Sequence, residues 1–169
     1  MQKYKLICLL VIVFCSKIAL AQDSATIMKF LKGENVQTYF FENPDSSFVL
    51  LEDASGYLCS KWNAAIKYSV LPFSFTDFLK DVRKKTSEKK LLDSFFVKNT
   101  QPNNNGCFVM IEEFEAPKES NSENYILVIC IADVKTDYAV MVAGSYPASK
   151  DALLRKNFIK SALSLRLKE

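Results

Sequence analysis

The spacing of apolar and polar positions divides the chain into readable segments. Tyr125-Ile126-Leu127-Val128-Ile129-Cys130-Ile131-Ala132 is apolar throughout. A strand with one wet face would alternate, so this run predicts a strand covered on both faces. Cys107 to Phe114 and Tyr138 to Ser145 read as further strands, the second with Val140, Met141 and Val142 in succession. The connections, Pro117 to Asn124 and Asp133 to Asp137, suit an antiparallel meander. Leu91 to Thr100 predicts another strand, closed by the turn Gln101-Pro102-Asn103-Asn104-Asn105-Gly106. Upstream, Val36 to Glu42 predicts a strand that ends at Asn43-Pro44-Asp45-Ser46. Ser47 to Glu52 and Tyr57 to Trp62 predict a hairpin around Asp53-Ala54-Ser55-Gly56, and Ala64 to Leu71 an extended segment closed by Pro72.

Two helices follow from the other periodicity. Ser74 offers a capping hydroxyl with Asp77 three residues on, and Phe75, Phe78, Leu79 and Val82 draw one apolar stripe. Arg83, Lys84 and Lys85 fall in its last turn, where cations complement the helix dipole. After Tyr146-Pro147, Ser149 is the expected N-cap of a second helix whose stripe is Leu153, Leu154, Phe158, Ile159 and Leu163. A short helix is predicted from Ser24 to Leu31, stopped at Gly33. Double-sided burial of the central strand then leads to an expected fold. It is α+β, a central antiparallel sheet of about six or seven strands covered by helices on both faces, an αβα sandwich.

The N-terminus is expected to lie outside that fold. Lys3 and Lys5 precede the apolar run Leu6 to Phe14, and Ala19 and Ala21 bracket Leu20. This is the three-part form of a secretory signal peptide, residues 1–21, cleaved after Ala21. The run is about half the roughly 20 residues that span a bilayer, so no membrane insertion is expected after cleavage. Neither Cys8, after Ile7, nor Cys15, after Phe14, follows the small residue that lipidation needs. Residues 22–169 are expected to form a single domain, periplasmic or secreted.

Cleavage changes the charge balance. The segment carries Lys3, Lys5 and Lys17 and no acid; taking these three from 22 Lys and Arg leaves 19, equal to the 19 Asp and Glu. A neutral mature chain lacks the one-sided basic field of nucleic-acid binding. Runs such as Arg83-Lys84-Lys85 and Lys89-Lys90 read as solvated helix ends. Cys59, Cys107 and Cys130 remain, an odd number without C-x-x-C spacing, so disulfides do not organise the fold, although one bridge is permitted.

Candidate chemistry is sparse. The chain has no histidine, which excludes His triads, His proton shuttles and His metal centres. Glu112, Glu113 and Glu115 form the only dense carboxylate cluster, with Glu113 and Glu115 on one strand face and Glu112 on the other. A solvated strand end before Pro117 accounts for them. Asp133 and Asp137 lack the ligand density of a calcium loop. No catalytic residue, metal or cofactor is expected. Aromatic residues are abundant instead, at 12% of the chain. Tyr57 and Trp62 stand five positions apart, so on a regular strand they take opposite faces, one inward and one outward. With Tyr68 they are the candidate binding residues, since an exposed aromatic is a natural partner anchor.

The stretch Tyr138-Ala139-Val140-Met141-Val142-Ala143-Gly144-Ser145-Tyr146-Pro147, followed by a helix ending Ile159-Lys160-Ser161-Ala162-Leu163, resembles the C-terminal signature of PsbP-like domains. Pro72-Phe73-Ser74-Phe75 is similar to the opening of that family's mid-chain helix. The resemblance covers roughly residues 36–167. It implies a PsbP-like αβα sandwich and a binding role, with no catalytic residue to carry over. The expected function is that of an exported, non-enzymatic protein-binding domain of the bacterial envelope, in a specific version an immunity or secretion-adaptor protein acting as a monomer. The alternative is a periplasmic carrier of a small apolar ligand held between sheet and helix.

Overall fold

A computed structural model describes residues 39–52, 54–85, 91–101, 104–114, 123–134 and 138–167. The expected signal peptide, the helix expected from Ser24 to Leu31, and Glu115 lie outside them.

Seven strands form one antiparallel sheet: β2 (Val49–Leu50), β3 (Gly56–Cys59), β4 (Ala64–Leu71), β5 (Leu91–Gln101), β6 (Asn104–Phe114), β7 (Tyr125–Ala132) and β8 (Ala139–Pro147). Their spatial order is β2-β3-β4-β8-β7-β6-β5, so the all-apolar β7 and its neighbour β8 lie inside the sheet. A separate two-stranded sheet pairs β1 (Tyr39–Phe40) with β9 (Arg166–Leu167). The expected strand from Val36 to Glu42 thus contributes to a small sheet of its own rather than to the main one. Helices α1 (Phe75–Lys85) and α2 (Asp151–Leu163) complete the described elements, α2 entered through a 3-10 turn, Ala148–Lys150.

Side-chain alternation sorts the core into two clusters, one per face. Ile126, Val128, Cys130 and Ala132 of β7 join Val140 and Val142 of β8 and Cys107, Val109 and Ile111 of β6 against Leu154, Phe158 and Ala162 of α2. Ile129 and Ile131 join Met110, Ala139, Met141 and Ala143 against Leu71, Phe73 and Phe78. Val128 is 1% exposed and Ile129 2%, so the centre of β7 is buried on both sides.

The expected αβα sandwich, with a layer of helices over each face, is not what forms. Nine strands stand against two α-helices among the described residues, and the longest helical stretch, 148–163, lies on one face. On the other face the cover is Phe73, from the turn after β4, and the short α1 through Phe75, Phe78 and Leu79. Away from α1 on that face, Leu58, Ala65, Lys67 and Leu127 are only half-buried and Val49 is exposed. Double-sided burial requires apolar atoms over both faces, and a few aromatic rings supply them without a helical layer.

Both helix starts turn on serines. Ser74 caps α1 as its sequence indicates: its hydroxyl accepts from the Asp77 amide at 3.2 Å and donates to Asp77 Oδ2 at 2.8 Å. Ser149 is not the N-cap of α2. Lys150 occupies that position without a side-chain bond, while Ser149 gives both its amide and its hydroxyl to the Glu123 carboxylate, each at 2.9 Å. The acidic residue preceding β7 thereby ties the start of β7 to the start of α2. The stripe on α2 also shifts. Leu154 and Phe158 are buried, whereas Leu153 is exposed and the small Ser161 and Ala162 turn inward.

Candidate functional site

The three candidate aromatics converge on one face of the sheet, at its β3–β4 end. Tyr57, on β3 opposite Ile66, is buried; its ring meets Phe41 edge-on at 5.3 Å and its hydroxyl donates to the Phe41 carbonyl at 3.0 Å. Burial pushes that hydroxyl's pKa up. Tyr68, on β4 opposite Val142, is half-buried beneath Tyr39 and Phe41, with edge contacts at 6.2 and 6.3 Å. Trp62 is half-buried and packs edge-on against Phe48 at 6.0 Å, and Phe48 in turn meets Phe158 at 5.7 Å.

Trp62 does not take the face opposite to Tyr57, as strand alternation would require. β3 ends at Cys59, so Trp62 stands in the tight turn of residues 60–63, where alternation no longer applies, and its indole falls on Tyr57's side; Asn63 closes the turn at φ 49°. Asn tolerates this left-handed conformation better than most residues. The Asn63 side chain also donates to the Tyr125 hydroxyl, holding the turn.

Two residues of the neighbouring edge strand present apolar surface without an aromatic ring. Val49 is 71% exposed and Leu50 51%, on the edge strand β2, which directly follows the Phe48 that Trp62 packs on. Lys61 and Ser60 of the turn are exposed. The sequence does carry Val49 and Leu50, but nothing in their spacing tells an edge strand from a central one. In the separate two-stranded sheet Phe40 is 39% exposed, and Arg166 of β9 sits 5.4 Å from its ring centroid.

Elsewhere the polar groups serve packing. Tyr146 is fully buried, edge-on to Phe158 at 5.0 Å, and donates to Asp151 Oδ1 at 2.9 Å; Arg155 also bonds Asp151. Burial first, then the Asp151 bond, pushes the Tyr146 hydroxyl far up. Cys59, Cys107 and Cys130 are free and buried. Cys107 lies opposite Ala132 and Cys130 opposite Val109, which makes the two thiols diagonal neighbours. Their mutual hydrogen bond, then burial, holds Cys130 well above the usual thiol range. Diagonal partners stand about 7–8 Å apart, at or beyond the reach of an unstrained disulfide. Glu113 accepts from Asn124 at 2.8 Å at the exposed end of β6, and Glu112 faces the other way, half-buried. Among the described residues no group of three or more Cys, Asp or Glu is placed to hold a metal ion, and no helix is long and apolar enough to cross a membrane.

No family model matches the chain, and no curated protein matches it in sequence. A solved structure similar to it is a Bacteroides thetaiotaomicron protein, determined by crystallography at 1.50 Å, with a TM-score of 0.51 and 14% sequence identity. The match covers 79% of this chain and 49% of that one, so this chain spans about half of that protein's length. At this identity the likeness shows the fold alone.

Proposed function

We propose that the protein is an exported, non-enzymatic protein-binding domain of the bacterial envelope, and that it meets its partner through β2 and the turn between β3 and β4. An immunity or secretion-adaptor role is the specific version of this reading. The observation that carries it is the exposure of Leu50 on the face that the half-buried Trp62 shares, with Val49 exposed on the opposite face of the same edge strand. Adjacent apolar side chains at a sheet edge can bury area against a partner while the edge backbone offers it a ladder to join. A half-buried Trp whose ring already rests on Phe48 loses little freedom when covered, which suits an anchor. Tyr57 and Tyr68 support that surface from beneath. The carrier reading gains nothing from the seam between sheet and α2. Phe158 fills it so closely that a methyl on Gly144 would meet the Phe158 Cδ2 atom at 2.3 Å.

The test is capture from envelope extract with the protein, with Trp62→Ala, and with Val49→Asp combined with Leu50→Asp. Both variants should remain folded by circular dichroism and lose the captured partner. Recovery of the same partner by both folded variants would refute this site.

A further inference from the structure

The opposite edge of the sheet is built differently. β5 is outermost and, among the described residues, pairs only with β6. Its run from Asp93 to Lys98 pairs without interruption against Ile111 to Gly106, between register shifts at Leu91/Asp93 and Lys98/Gln101. Edge strands are commonly kept short or interrupted by charge or proline, because their unpaired backbone is a template for another strand. This one is eleven residues long. Its charges, Asp93 and Lys98, stand at the two ends of the uninterrupted run, with Phe95, Phe96 and Val97 between them. Phe96 is 44% exposed on the α1 side, where it meets the Phe75 ring at 6.1 Å, and Leu92, in the bulge, is 43% exposed.

We propose that β5 is an interface between two copies of this chain, paired antiparallel about a two-fold axis at Phe96, so that the two seven-stranded sheets continue as one. A two-fold axis perpendicular to a sheet sets one residue opposite itself. With Phe96 there, Phe95 lies opposite Val97 of the second copy and Ser94 opposite Lys98 of the second copy. Apolar side chains then meet apolar ones, in the aromatic and β-branched pairings that favour a ladder. An axis at Phe95 sets Asp93 against Val97, and an axis at Val97 sets Phe96 against Lys98. Charge points the same way. Antiparallel pairing sets Asp93 opposite Asn99 and Lys98 opposite Ser94 of the second copy, so no like charges meet, whereas parallel pairing sets like charges side by side. The interface is isologous, so it closes at two copies. It leaves both β2 edges free at the outer ends of the joined sheet and does not depend on what binds there. This departs from the monomer expected from sequence.

A six-residue pairing lies at the small end of specific interfaces, below about 1,200 Å² in total, so the dimer is concentration-dependent. Sedimentation equilibrium of the purified protein, taken to submillimolar concentration, should show twice the chain mass. Phe96→Lys and Phe96→Asp should each give folded monomers, since each sets like charges directly opposite. Mixing the two variants in equal amounts should restore the dimer, because only pairing at position 96 places the lysine against the aspartate. A wild-type monomer throughout, a Phe96→Lys dimer, or a mixture that stays monomeric would each overturn the proposal. So would a wild-type dimer abolished by Val49→Asp, which would place the contact on the other edge.

Discussion

On one face of the sheet Phe158 of α2 lies against Gly144, Tyr146 and Phe48. On the other, Phe73 and Phe78 stack 6.3 Å apart over Leu71, Met110, Ile129 and Met141. The first face has a thirteen-residue helix, the two-stranded β1–β9 sheet and a cluster of aromatic rings above it. The second has an eleven-residue helix over only part of its area. Strand β7 is nonetheless apolar toward both. Burial of a strand face constrains the atoms that touch it and leaves open whether helix, turn or ring provides them.

The largest expected effects probe what the faces share. Val128→Asp points into the α2 side and Ile129→Asp into the α1 side; each buries an unpaired carboxylate and should cost more than about 4 kcal/mol in a denaturant titration. If Ile129→Asp is tolerated, the second face is wet. Ring truncation separates the faces more finely. Phe158→Ala should cost about 4–5 kcal/mol and Phe78→Ala about 3, since Phe158 is locked between two rings and a glycine while Phe78 belongs to a short helix. Equal losses would show that the two covers are energetically equivalent. The smallest effect concerns α1 itself. Ser74→Ala removes the cap and should cost about 1 kcal/mol. The Ser74 hydroxyl and Lys80 also hold the Asp77 carboxyl below its ordinary value. Its contribution is therefore present above the usual carboxylate range and lost as pH falls through the lowered value. Thermal melts at neutral and acid pH should show the Ser74→Ala deficit shrinking in acid; an unchanged deficit would detach Asp77 from the cap.

Local features were legible where a few adjacent residues decide them. The Ser74 cap, the strand Tyr125 to Ala132 and the opposed faces of Glu112 and Glu113 all follow from short-range spacing. Asn104 shows the limit. Its sequence context reads as a turn, yet it lies in β6, buried, with its amide donating to the carbonyls of Leu163 and Leu165 at the end of α2. Its partners are some sixty residues away, so no local pattern contains them. Trp62 went to the unexpected face because β3 ends at Cys59 and the turn that holds Trp62 breaks the alternation on which the expectation rested.

The sequence by itself determined that β7 is buried on both sides, that α1 begins at Ser74 and that the main sheet is antiparallel. Each depends on periodicity, capping or connection length, which act over a few residues. Only the tertiary structure decided that β2 and β5 are the edges, that Val49, Leu50 and Phe96 reach solvent, and that Tyr57, Trp62 and Tyr68 share a face. An apolar residue is equally apolar at an edge and in a core. What separates the two is which strand lies next to it, and that is settled by pairings between distant parts of the chain.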